Sequence, residues 1–213
     1  MNKKSASSFG EWEEIKDKVI IRIMKRKGNE ELLDLIPCAE MEDTILGFYI
    51  NVGEKYGEAV VLINDNDLLE WRKKTEIDTE DIFYQALDNL LHVRFVLTDV
   101  EDFAIGIMKQ LGKIEEGFQK DWMSSQFFLS TETKKYGASA ILRTDLLQQF
   151  ANEIDGNFYL TLDAENRLSL FPENQIDEEY GKERMEQCRK SEEAVSNKLY
   201  YFDKDSGELT IVG

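Results

Sequence analysis

The chain has 213 residues, 42% of them hydrophobic and 32% charged, which supplies a substantial core beneath a charged surface. Its net charge of −17 at pH 7 repels phosphate backbones and anionic lipid, which sets nucleic acid and membrane surfaces aside as direct partners. No apolar run approaches the ~20 residues of a membrane helix, and MNKKSASSFGEWEE lacks the apolar segment of a secretory signal.

The acidity is uneven. Residues 1–28 hold eight Lys/Arg against four Asp/Glu, so the negative charge resides in the remainder. Ser8-Phe9-Gly10-Glu11 has the form of a capping box, and Trp12, Ile15, Val19, Ile20, Ile23 and Met24 follow at helical spacing. The expectation is an N-terminal helix closed by Gly28, with Lys25, Arg26 and Lys27 in its last turn, where cations suit the helix dipole. A short helix, Glu30 to Leu35, stops before Pro37. Ile45–Val52 and Glu58–Ile63 read as an antiparallel hairpin. Asp65 or Asp67, Asp78 and Asp99 each open a helix, with core faces carried by Leu68 and Trp71, by Ile82, Ala86 and Leu90, and by Phe103, Ile107 and Leu111. Lys113–Ser125, around Phe118 and Trp122, is expected as a connecting helix.

A second β-rich region follows. Phe127–Ser130 and Ala138–Leu142 read as strands, Thr144 as the cap of a helix carrying Leu147, Phe150 and Ile154, and Asp155-Gly156 as its end. Phe158–Leu162 pairs with Leu168–Phe171, a charged helix spans about Gln175 to Arg189, and Leu199–Phe202 with Leu209–Val212 closes the chain as a hairpin. Helices and strands mix without strict βαβ alternation, so the expected class is α+β, antiparallel hairpins with capped helices packed on them. The expected organisation is one domain over 1–213, with sub-halves 1–112 and 126–213. YGEAVVLINDNDLLEW, Tyr56 to Trp71, and YGASAILRTDLLQQF, Tyr136 to Phe150, echo each other as strand-to-helix units, in residues that build structure.

Chemistry is sparse. His92 is the lone histidine and sits at the end of an apolar helix with no nucleophile motif beside it. One histidine and two distant cysteines do not make a zinc set. Asp65-Asn66-Asp67 and Asp203-Lys204-Asp205-Ser206-Gly207 fail the calcium-loop pattern after a few positions, and no phosphate or nucleophile-elbow motif is present. No catalytic residue, metal or cofactor is implied.

KDKVIIRIMKRKGNEELLDLIPCAEMED, VLINDNDLLEW, ALDN, FFLSTETKKYGASAIL, FYLTL…LSLFP and EEAVSNKLYYFD resemble, in order, an uncharacterised bacterial family, number 5688 in the domain-of-unknown-function series. The resemblance implies a fold, not an activity. It also implies that the chain lacks an N-terminal segment usual in the family. A Pro-Ser-Ser-x-His-Glu motif is replaced here by Leu162, Asp163, Ala164, Glu165, Asn166 and Arg167. Glu132 stands where asparagine is common, and Asn89-Leu90-Leu91 where Asn-Thr-Pro is; only Gly137 and Asn89 keep the pattern.

The leading expectation is a cytoplasmic, acidic protein-interaction module for a basic protein partner, its oligomeric state left open. The alternative is a small-molecule binder or enzyme with a site near Tyr56, Gly57, Glu132, Tyr136, Gly137 and Asn166.

Overall fold

The computed structural model describes residues 10–51, 60–121, 123–176 and 180–213. They fall into two compact units, Met1–Val93 and Arg94–Gly213. The fold is α+β, with an antiparallel sheet in each unit.

In the first unit, α1 (Trp12–Ile15) is a single turn that passes through a 3-10 turn into strand β1 (Val19–Lys25). The long helix expected over Trp12 to Met24 is therefore mostly a strand. Val19, Ile21 and Ile23 are buried while Ile20 and Arg22 are less so, a period of two. Apolar spacing fits either period here, and the β-branched run decides it, because such side chains lose freedom in a helix and pack well on a pleated surface. Ser8 and Phe9 of the expected capping box lie outside the described residues, and Glu11 precedes α1 without a side-chain cap.

A 3-10 helix at Glu30–Asp34 leads to β2 (Cys38–Met41) and, through a turn at Glu42-Asp43, to β3 (Thr44–Asn51). β3 is the spine of this sheet: β1 pairs along one side, and β2 and β4 (Val60–Leu62) pair along the other. Helix α2 (Asp65–Thr75) opens with a capping box, but its cap is Asn64 rather than Asp65 or Asp67; Asp67 is the partner three residues on, reaching back to the Asn64 N–H. Helix α3 (Thr79–Leu91) opens with Asp78 and Asp81 in the same arrangement and buries Ile82, Ala86 and Leu90. Asn89 fastens it: its Nδ2 donates to the carbonyls of Lys16 at 2.6 Å and Val19 at 2.8 Å. That bond pair holds α3 to the entry of β1.

The second unit carries a six-stranded sheet in the order β10-β9-β7-β8-β6-β5, formed by β5 (Phe95–Asp99), β6 (Phe127–Thr131), β7 (Phe158–Ala164), β8 (Arg167–Pro172), β9 (Tyr200–Phe202) and β10 (Leu209–Ile211). β5 was not foreseen, since its four apolar and threonine residues run straight into helix α4 (Val100–Gln110), which Asp99 caps as expected. Ala138–Leu142, expected as a strand, lies in a 3-10 helix at Gly137–Leu142. Helix α5 (Thr144–Ile154) follows. Thr144 is its first residue, not its cap; the preceding Arg143 makes no capping bond and instead pairs with Asp145 through two contacts of 2.7 Å. The two strand-to-helix echoes thus differ at the second copy. α5 packs its Phe150 between Phe127 and Phe158, which stacks on Phe202, so one face of the sheet is an aromatic core. Helix α6 (Tyr180–Arg189) packs near β7 and β8.

Candidate functional site

Of the sequence candidates, Tyr56 and Gly57 lie outside the described residues. Glu132, Tyr136, Gly137 and Asn166 belong to one region of the second unit. After β6, Lys134 and Tyr136 both adopt left-handed backbone, with φ of 55°, and turn the chain back on the β7–β8 hairpin. Thr131 pins this loop: its hydroxyl takes the Lys135 N–H at 2.9 Å and donates to the Lys135 carbonyl. Gly137 then lies against the hairpin turn so closely that a Cβ there would sit 2.5 Å from the carbonyl carbon of Asn166 and 2.8 Å from the Arg167 Cα. Ala138 N–H donates to the Glu165 carbonyl at 3.1 Å, and the Ser130 hydroxyl to the Asn166 carbonyl. Glu132 is exposed and pairs with Arg94 at 3.0 Å. The groups that converge here are backbone, and they hold loop to hairpin. Ser139, donating to the Tyr136 carbonyl at 2.6 Å, is spent the same way.

Beside that junction the strands carry buried polar side chains. β7 has a register irregularity between Thr161 and Ala164, the kind of bulge that re-aims side chains. Asp163, 3% exposed, sits in it and takes the Arg167 Nε at 3.0 Å, while Arg167 covers the Phe128 ring at 4.7 Å. The Gln126 Nε2 donates to the Ser169 hydroxyl at 3.2 Å and lies 3.8 Å from the Cys188 sulfur, and the Arg184 Nε donates to the Gln126 side-chain Oε1 at 2.5 Å. Burial, then the Asp163 charge, pushes the Cys188 thiol up, although the Ser169 bond and the Arg184 and Arg167 charges pull the other way. A thiol so placed stays protonated at neutral pH and is a poor nucleophile.

A serine–lysine pair has the outline of a nucleophile and base. Ser124, fully buried, bonds to Lys120 and to Asp99, and Lys120 pairs with Asp99 at 2.7 Å and Asp102 at 3.2 Å. Burial disfavours the Lys120 charge, yet the two carboxylates outweigh it and its pKa lies above the ordinary value. A base for serine must be neutral. This cluster ties the connector before β6 to the start of α4.

The first unit offers a different surface. A cleft of about 620 Å³ is lined by Asp81, Tyr84, Gln85 and Asp88 of α3, with Trp12, Glu13, Thr75, Glu76 and Ile77 opposite. Positions 81, 84, 85 and 88 recur at helical spacing and share one face, the reverse of the face that buries Ile82, Ala86 and Leu90. Four lining residues are carboxylates and none is Lys or Arg. Glu13 is paired with Lys16 at 2.5 Å, and Asp81 also takes the Asp78 N–H at 2.9 Å. Tyr84 is 60% exposed, while Trp12 is buried against Trp71, ring centroids 5.5 Å apart. The sequence signal was available in the Asp81-x-x-Tyr84-Gln85-x-x-Asp88 stripe, which the apolar reading of the same helix passed over.

Among the described residues no group of three or more His, Cys, Asp or Glu could hold a metal ion, and no helix is long and apolar enough to cross a membrane. His92 is exposed and ends α3. Both cysteines are free thiols. No curated protein and no solved structure matches the chain. A model described as a family of unknown function, DUF5688, matches residues 1–204, and the protein belongs to that family.

Proposed function

We propose that the protein is a non-catalytic binding module that takes a basic segment of a partner protein. The observation that carries this reading is the cleft beside α3, lined by four carboxylates, of which Glu13 is paired with Lys16, and by an exposed tyrosine, with no Lys or Arg in the lining. A lysine or arginine side chain entering it gains charge-assisted hydrogen bonds, and a guanidinium can also lie on the Tyr84 ring. The net charge of −17 adds long-range attraction and speeds encounter with a cationic partner. The free thiols of Cys38 and Cys188 support action in the reducing cytoplasm.

The test is calorimetric titration with an arginine-rich peptide at low and high salt. Glu76→Gln with Asp88→Asn is expected to weaken binding tenfold or more, since two lost charge contacts of about 1 kcal/mol each give that factor. Equal affinity for the double variant would refute the assignment of this cleft.

A further inference from the structure

We propose that two copies of this chain pair through the open edge of the second unit's sheet, β5 against β5 in antiparallel register. β5 ends the strand order, and among the described residues no strand pairs with its outer side. Which backbone groups face outward follows from the inner pairing. The Glu132 N–H donates to the Arg94 carbonyl and the Val100 N–H to the Gln126 carbonyl, so the even-numbered residues of β5 point their backbone groups at β6. In an antiparallel ladder the direction alternates. Phe95, Leu97 and Asp99 therefore present N–H and C=O outward.

A twofold axis through Val96 matches this polarity with itself. Phe95 of each copy faces Leu97 of the other as a hydrogen-bonded pair, giving four N–H···O bonds, and the two Val96 side chains meet across the axis. The side chains fit as well as the backbone. Phe95 and Leu97 line a groove of about 100 Å³ with the apolar Leu129, Leu146 and Phe150 and the polar Gln149 and Glu153, and a strand laid on the edge continues the sheet beside that groove. The cross-strand Phe95–Leu97 pairs fall on its face.

The edge also lacks the usual protection. Natural sheets blunt such strands with lysine, proline, bulges or a covering element, whereas Phe95-Val96-Leu97-Thr98 has neither lysine nor proline, and Val96 and Leu97 are 40% and 36% exposed. α4 leaves the end of the same strand, buries no residue, and exposes Phe103, Ile107 and Met108, with Leu111 exposed just past its end. Val96, Leu97 and these four side chains, 36–64% exposed, leave apolar surface on the order of several hundred Å² uncovered, to be set against the ~800 Å² that each partner gives to a stable interface. An isologous contact of this kind closes at two copies.

Sedimentation velocity of the full chain from about 1 to 100 μM tests the proposal, the 24.7 kDa chain mass separating monomer from dimer. Wild type is expected to reach twice the chain mass. Leu97→Pro removes an outward N–H and leaves the β6 ladder intact, so it should raise the dissociation constant more than tenfold, while Leu97→Ala, which keeps the N–H, should still dimerise. Val96→Lys, at a half-exposed position, sets two like charges across the axis and should weaken the dimer in a way that high salt partly reverses. Circular dichroism confirms the fold of each variant. A wild type that stays at 24.7 kDa throughout overturns the proposal, as does a dimer that neither Leu97→Pro nor Val96→Lys weakens.

Discussion

Gly137→Ala isolates the question of what the loop–hairpin junction is for. The added Cβ would lie 2.5 Å from the Asn166 carbonyl carbon and 2.8 Å from the Arg167 Cα, about 1 Å inside ordinary contact. Backbone on both sides has to move, because neither atom belongs to a flexible side chain. Overpacking of this kind costs about 1–3 kcal/mol. Separation of the segments also strains the Ala138-to-Glu165 and Ser130-to-Asn166 hydrogen bonds, each worth about 1 kcal/mol net. The expected loss is ~3–4 kcal/mol in the second unit, or ~10–15 °C in its melting midpoint at the size of this unit. Urea unfolding followed by circular dichroism measures it. Gly106 in α4 has open space where a Cβ would go, so Gly106→Ala is the matched control and should stabilise by up to ~1 kcal/mol. A Gly137→Ala protein within ~1 kcal/mol of wild type would refute the packing account.

Asn89→Ala deletes both bonds to the Lys16 and Val19 carbonyls and should destabilise the first unit by ~2–3 kcal/mol in the same assay. Burial raises the Asp99 pKa, but the Asp102 N–H, Lys120 and Ser124 outweigh it and hold the carboxyl below its usual range. A depressed folded pKa stabilises above the unfolded value of about 3.9 and loses that contribution as pH falls through the folded value. Asp99→Asn keeps the helix cap and removes the charge, so its stability should decline less steeply than wild type on acidification below pH ~4, as read by pH-dependent urea midpoints. In a Cys38→Ser background, Cys188 should react with a thiol reagent at pH 7.5 more slowly than free cysteine, and at the free rate once urea unfolds the chain, since burial heads the causes that raise its pKa.

Legibility followed the strength of local signals. Asp78 and Asp99 announced helices because an acid before an amphipathic run has a specific bonding role, and β3, β7 and β8 announced themselves through β-branched and aromatic runs. Val19–Lys25 misled because its apolar spacing satisfies both periods; its β-branched run, paired along β3, separates them. Asn64 was passed over in favour of the neighbouring aspartates, which sequence alone cannot rank. Gly137–Leu142 has the composition of a strand, yet the left-handed turn at Tyr136 delivers it as a tight helix against the hairpin. Gly137 and Asn166, expected as candidate binding residues, meet through backbone packing. The cleft beside α3 stayed hidden because five of its nine lining residues, Trp12, Glu13, Thr75, Glu76 and Ile77, come from before the helix in the chain.

Asn89 has a consequence for that cleft. Through it the helix bearing Tyr84 and Asp88 is bolted to the turn that follows Trp12 and Glu13, so the two rims share one fastener. If the cleft binds as proposed, a guest would not have to draw them together, and little ordering entropy would be lost on capture. Loosening the bolt should therefore slow uptake of a cation even where every carboxylate is kept.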